Sequence, residues 1–76
     1  MEELLNTIVS NIVDSPEKVE VNEIEGSKSI IVKLGVADDD MGQVIGKKGR
    51  IAKAIRTVLK ASAAKENKRV ILEIIE

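Results

Sequence analysis

The chain has 76 residues, of which 33% are charged, and it contains no cysteine, no histidine and no aromatic residue. A chain of this length forms a single domain, residues 1–76, with a thin hydrophobic core. Without cysteine or histidine it has no disulfide, no thiolate nucleophile, no imidazole base and no ordinary zinc site. We therefore expect neither a metal ion nor a cofactor, and no enzyme activity.

The net charge of −1 hides an uneven distribution of charge. Residues 46–69 hold nine cations and one acid, a net charge of +8, whereas the rest of the chain holds three lysines and twelve acids, a net charge of −9. One face of the domain can therefore attract a polyanion. The acidic N-terminus and the lack of a run of roughly 18 apolar residues predict a cytoplasmic protein that does not bind membranes.

The first part of the chain predicts one helix and then two strands. Apolar residues recur at the helical period up to residue 13, so we expect an amphipathic N-terminal helix over residues 1–13 that ends before Pro16. Its polar face lacks lysine and arginine, which favours a core-facing helix over one that lies on a membrane. Residues 19–25 and 29–36 are rich in β-branched side chains and flank a turn at Gly26, which predicts an antiparallel hairpin.

Three consecutive aspartates, Asp38, Asp39 and Asp40, precede a short helical pattern whose inner face would contain Met41, Val44 and Ile45. Three adjacent carboxylates could serve a magnesium ion or a catalytic pair. Helix capping explains them with fewer assumptions, because aspartate is a preferred N-cap and complements the positive end of a helix. We expect Asp38 to be the N-cap.

A longer helix is predicted from Gly49 to Lys65, and the final segment RVILEII is typical of a strand. The inner face of this helix would consist of Ile51, Ile55, Val58, Leu59 and Ser62, and its outer face would carry Lys53, Arg56 and Lys60. These cations could simply be the solvated face of the helix. The predicted order is helix, strand, strand, helix, helix, strand, an α+β fold with a three-stranded sheet and helices packed on one face.

The segment Gly46-Lys47-Lys48-Gly49 joins the last two predicted helices. It lacks the spacing of a Walker loop and does not follow a strand as a dinucleotide-binding loop does. Glycines allow the main chain to approach a ligand closely, and the following helix start offers unpaired N–H groups that suit phosphate. Arg50 and Lys53 would extend the positive surface. The alternative is a plain helix–helix turn whose lysines serve solubility.

A G-x-x-G loop between two helices, preceded by the apolar pair Val44-Ile45, resembles the loop of KH domains. The stretch DDDMGQVIGKKGRIAKAIRTVLKASAAKENKRV is similar to the small bacterial single-KH proteins of the KhpA family, and the likeness extends over the whole chain. The resemblance implies the type II KH fold. It also implies binding of single-stranded RNA, with about four nucleotides held in a groove.

The predicted RNA-binding residues lie mainly around the G-x-x-G loop at residues 46–49. The resemblance implies contacts to the RNA backbone from the loop, an aliphatic floor under the bases, and hydrogen bonds to the bases from the edge of the second strand near Ile31 and Lys33. The full predicted set is Val44, Ile45, Gly46, Lys47, Lys48, Gly49, Arg50, Ile51 and Lys53, together with Ile31 and Lys33. Without aromatic side chains the groove cannot stack bases on rings, so we expect weak binding by one domain.

Weak binding by one domain favours pairing with a second one. The resemblance implies a homodimer, a heterodimer with a larger KH protein of the KhpB (Jag) family, or both. It further implies a role as an RNA chaperone and post-transcriptional regulator linked to cell shape and cell-wall synthesis. The alternative is a KH-fold protein-interaction module for which RNA contact is secondary.

Overall fold

The computed structural model describes residues 1–75 and has the predicted order of elements. Within this range no helix is long and apolar enough to cross a membrane. The elements are α1 (Glu2–Ser10), β1 (Glu20–Glu25), β2 (Ser29–Gly35), α2 (Met41–Ile45), α3 (Arg50–Ala64) and β3 (Arg69–Ile75), with 3-10 turns at Pro16–Lys18, Asp38–Asp40 and Lys47–Gly49. The predicted α+β fold class is confirmed.

The three strands form one mixed sheet in the order β1-β2-β3. β1 and β2 are antiparallel, with Val21 opposite Leu34, which confirms the predicted hairpin. β3 is parallel to β2, with Ile71 opposite Ile31. A parallel pair needs a long crossover, and α2, the loop after it and α3 together provide that crossover.

The helices cover one face of the sheet, where alternate residues of β2 are buried. α1 packs over β1, and α3 packs over β3. Leu5 of α1, Leu59 of α3 and Leu34 of β2 are each 0% exposed and belong to the same core cluster. Each such side chain stabilises the fold by about 1.5–3 kcal/mol through burial.

The opposite face of the sheet carries no helix within residues 1–75. Ile24, Ile31 and Ile71 stand in register on this face and form one row across all three strands. Ile24 is 55% exposed and Ile71 43% exposed. Lys33 points to the same side, because it alternates along β2 with the buried residues.

Two predicted helical details differ from the structure. α1 ends at Ser10 and not at residue 13, and the Ile12 and Val13 N–H groups donate to the Val9 carbonyl in the turn that closes it. In α3, Val58 is 42% exposed, and Ala52 and Ala63 are among the buried residues. The core-facing side of α3, which packs on β3, therefore does not include Val58. Val58 lies on another flank of the helix, which faces α1.

The prediction that Asp38 caps a helix is wrong. The Asp38–Asp40 turn follows Ala37, and no aspartate side chain caps either this turn or α2. Instead Asp40 is 1% exposed, and its Oδ1 and Oδ2 accept hydrogen bonds from the N–H groups of Asp14 at 3.2 Å and Ser15 at 3.0 Å. The carboxylate accepts hydrogen bonds from these two main-chain donors and thereby links the loop after α1 to the start of α2.

Replacing the Asp40 carboxylate tests how much this link stabilises the fold. We expect Asp40→Ala to lower the free energy of unfolding by about 2–3 kcal/mol, because two partly buried N–H groups lose their acceptors. Asp39→Ala is the matched control, since Asp39 is exposed, and it should change the free energy by less than about 0.5 kcal/mol. Urea unfolding followed by circular dichroism measures both values, and equal midpoints for the two variants would contradict the assigned role.

Candidate nucleic-acid interface

Gly46 ends α2 in a conformation that only glycine adopts readily. Its φ is +75° and its ψ is 176°, and its N–H donates to the Gly42 carbonyl at 2.8 Å. A Cβ at this position would lie 2.7 Å from Cγ1 of Ile51 and 3.0 Å from its Cβ. Both backbone geometry and the close approach of Ile51 therefore require glycine at residue 46, and this contact sets the start of α3 against the end of α2.

Residues 47–49 form a single 3-10 turn that leads into α3. The Gly49 N–H donates to the Gly46 carbonyl at 3.2 Å, and the Arg50 N–H donates to the Lys47 carbonyl. Lys48 and Gly49 both have left-handed main-chain conformations, with φ values of +56° and +73°. Unlike Gly46, Gly49 has no atom within 4 Å of an added Cβ, so only its backbone conformation favours glycine.

The loop presents positive charge and free donors to solvent. Lys47 and Lys48 are exposed, and within residues 1–75 their N–H groups have no main-chain acceptor. The partial positive charge at the start of α3 lies next to them. Residues 41–65 contain no acid, so no carboxylate within this stretch neutralises the charge. The arrangement can hold phosphate groups through amides and ammonium groups together.

The structure brings nine of the predicted site residues together on α2, the loop and the first turn of α3. Val44 is 0% exposed and anchors α2 in the core, whereas Ile45 is 39% exposed. Ile51 is half-buried beneath Gly46, and Arg50 and Lys53 are exposed on the first turn of α3. The loop thus has an apolar side and a cationic side.

Ile31 and Lys33 do not join this group. They lie on the face of the sheet opposite the helices, and β2 is the central strand, so its main chain is paired on both sides. The premise that β2 offers a strand edge is therefore wrong, and a role of these two residues in base recognition stays a prediction. The resemblance had implied a strand edge at these residues, but the pairing of β3 beside β2 makes β2 the central strand.

The free edge on the α3 side of the sheet belongs to β3. The Arg69 N–H donates to the Lys28 carbonyl at 3.0 Å, and Ser29 is opposite Arg69 in the parallel register. Main-chain groups alternate in direction along a strand, so those of Val70, Leu72 and Ile74 point away from β2. The patterns in the sequence had not indicated this edge.

A second surface, which the sequence analysis also missed, lies between α1 and α3. It is an apolar groove of about 240 Å³, and its only charged lining residue is Arg50. The other lining residues are Ile8, Ile12, Ile51, Ala54, Ile55 and Val58. The exposed side chain of Val58 marks this groove, whereas the helical periodicity of the sequence had placed Val58 in the core.

A family model described as KhpA/KhpB, KH domain, matches residues 2–74. The chain belongs to the KhpA/KhpB family of KH domains. The 46–49 loop, which joins two helices as a G-x-x-G loop does in KH domains, is thus found in a chain that matches the family over nearly its whole length.

Relatives in this family share most of their sequence with the chain. It is 63% identical over 75 residues to the RNA-binding protein KhpA of Clostridium acetobutylicum, covering 99% of this chain and 100% of the relative. It is 64% identical over 75 residues to the protein of the same name from Caldanaerobacter subterraneus, with the same coverage. The KhpA protein of Listeria monocytogenes is 53% identical over 76 residues, covering 100% of each chain. No solved structure matches the chain.

Substitutions at the two loop glycines should have unequal effects on stability. We expect Gly46→Asn to lower the free energy of unfolding by at least about 2 kcal/mol, because asparagine avoids this conformation and its Cβ would meet Ile51. Gly49→Asn should cost less than about 1 kcal/mol, since asparagine tolerates the left-handed region and space is open there. Urea titration of both variants measures the difference, and equal losses would contradict the assigned geometry.

Proposed function

We propose that this protein binds single-stranded RNA without catalysing a reaction, and that the 46–49 loop holds the sugar-phosphate chain. The observation that carries the proposal is the exposed pair Lys47 and Lys48 at the start of a helix. Their N–H groups have no main-chain acceptor among residues 1–75, and they lie within an acid-free stretch of sequence. Phosphate is the ligand that amides, ammonium groups and a helix start accept together. The names of the relatives support RNA as the polyanion.

The remaining site residues fit particular parts of a nucleotide chain. Arg50 and Lys53 are placed to reach the phosphates that follow those at the loop. Ile45 and Ile51 provide the apolar surface for the bases, and Val44 supports it from within the core. The outer edge of β3 is the strand edge that offers main-chain donors and acceptors to base edges.

A second candidate function, protein–protein interaction through the KH fold, is favoured by the groove between α1 and α3. Its apolar lining is open to solvent and does not include Lys47 or Lys48, but it begins at Arg50 and Ile51, next to the loop. A single domain without aromatic side chains binds RNA weakly, and pairing of two domains raises their joint affinity. We propose a homodimer, or a heterodimer with a KhpB-like KH protein, that acts in the cytoplasm as an RNA chaperone in the control of cell shape and cell-wall synthesis.

Reversal of charge on the loop tests the RNA-binding proposal. We expect the double variant Lys47→Asp with Lys48→Asp to lose at least about 100-fold in affinity for a labelled single-stranded RNA, because two attractive contacts become repulsive. Fluorescence anisotropy measures the affinity. The thermal unfolding midpoint should stay close to that of the unchanged protein, since both side chains are exposed.

The matched control is Lys18→Asp with Lys65→Asp, which alters net charge by the same amount at exposed lysines outside the loop. It should retain most of the affinity. Equal losses in the two double variants would indicate a general charge effect, and unchanged affinity in the loop variant would refute the loop as the RNA contact.

A cation in the α1–α3 groove tests the interaction surface. We expect Val58→Lys to shift the protein towards monomers by at least about tenfold in dissociation constant, because it would place a charge in an apolar contact. Ala61→Lys is the control, since Ala61 is exposed on the same helix and does not line the groove. Sedimentation equilibrium measures both, and identical self-association of the two variants would exclude the groove as the dimer surface.

A further inference from the structure

Three cations lie on one flank of α3 beyond the loop. At about 100° per residue, Lys53, Arg56 and Lys60 fall within about 60° of one another around the helix. All three are exposed. We call them the α3 cation row. The opposite flank of α3 contains Ile51 and Val58, which line the groove towards α1.

The α3 cation row has no counter-charge. Within residues 1–75 the one ion pair joins Lys68 to Glu25, and α3 contains no acid. An ordinary solvated helix face alternates charges, because opposite charges three or four residues apart stabilise a helix by about 0.2–0.5 kcal/mol per pair. Here Lys53, Arg56 and Lys60 follow at intervals of three and four residues, so the like charges destabilise the helix by a similar amount. A bound polyanion would relieve that repulsion.

The row is continuous with the loop and borders a free strand edge. With a rise of about 1.5 Å per residue, Lys60 lies about 15 Å along α3 from Arg50. Because α1 lies over β1 and α3 lies over β3, the flank of α3 that faces away from α1 is next to the outer edge of β3. A nucleotide chain that leaves the loop in this direction would meet Arg56 and Lys60 next.

We propose that the α3 cation row is a second phosphate-contact segment, which extends the bound RNA beyond the roughly four nucleotides that a KH groove holds. This inference rests on the proposed binding of single-stranded RNA at the loop. It assigns Arg56 and Lys60 to contacts with RNA outside the loop site. The protein is then selective for longer unpaired stretches, because an RNA that only fills the loop site does not contact Arg56 and Lys60.

The test measures the affinity of one double variant, in which two cations are neutralised, for RNAs of two lengths. The variant is Arg56→Gln with Lys60→Gln, and the probes are labelled oligouridines of about four and about twelve nucleotides, one and three KH footprints. We expect unchanged affinity for the short RNA and about tenfold weaker binding of the long one at low salt. For the long RNA, the slope of log affinity against log salt should fall in magnitude by about 1.4, or about 0.7 for each lost phosphate contact.

Lys18→Gln with Lys65→Gln is the matched control and should leave affinity and salt slope unchanged for both lengths. Unchanged long-RNA affinity in the Arg56 and Lys60 variant would overturn the inference, and so would an equal loss for both lengths. Binding of the short RNA by the unchanged protein and by the loop variant distinguishes failure of this inference from failure of the proposed function. If the unchanged protein binds the short RNA and the loop variant does not, the loop proposal stands whatever the outcome for α3.

Discussion

The parallel pairing of β3 with β2 is the constraint on which the rest of the structure depends. Since parallel strands start at the same end of a sheet, the chain must return across one face after β2, and α3 makes most of that return. The crossover buries one side of α3 against β3, and the lysines of the turn before it stay exposed. The crossover therefore determines which flank of α3 is buried and which flank, with its cations, faces solvent.

Close contact between Gly46 and Ile51 sets the geometry of the 46–49 loop. Positive φ angles at Gly46 and Gly49 turn the chain between α2 and α3, and the lack of a side chain at Gly46 lets Ile51 pack directly against the main chain. Because Gly46 is held by this contact, Lys47 and Lys48 project from a supported turn. Rigid placement of donors lowers the entropy lost on binding an anion, which matters for a groove that has no aromatic ring to stack a base.

Two surfaces of α3 divide its possible roles. The flank towards α1 is apolar and open, and the opposite flank carries two lysines and an arginine that form no ion pair within residues 1–75. A protein contact on one flank and a polyanion contact along Lys53, Arg56 and Lys60 on the other would use different residues, whereas Arg50 and Ile51 belong to both the groove and the proposed loop site. A domain with a core this small gains from such an arrangement, because binding of a partner adds stability by mass action.

The sequence by itself determined the order of elements, the hairpin and the position of the G-x-x-G loop, since these depend on local periodicity, turn residues and the spacing of glycines. Its family likeness was also legible, because the loop and its flanks carry that likeness. Only the tertiary structure decided that β2 is central, that Asp40 is buried beneath the loop after α1, and that Val58 faces a groove. Each of these features depends on which elements pack beside each other. Asp40 and its two main-chain donors, for example, are 26 and 25 positions apart in the chain, and hydrophobic periodicity does not reveal contacts at such separations.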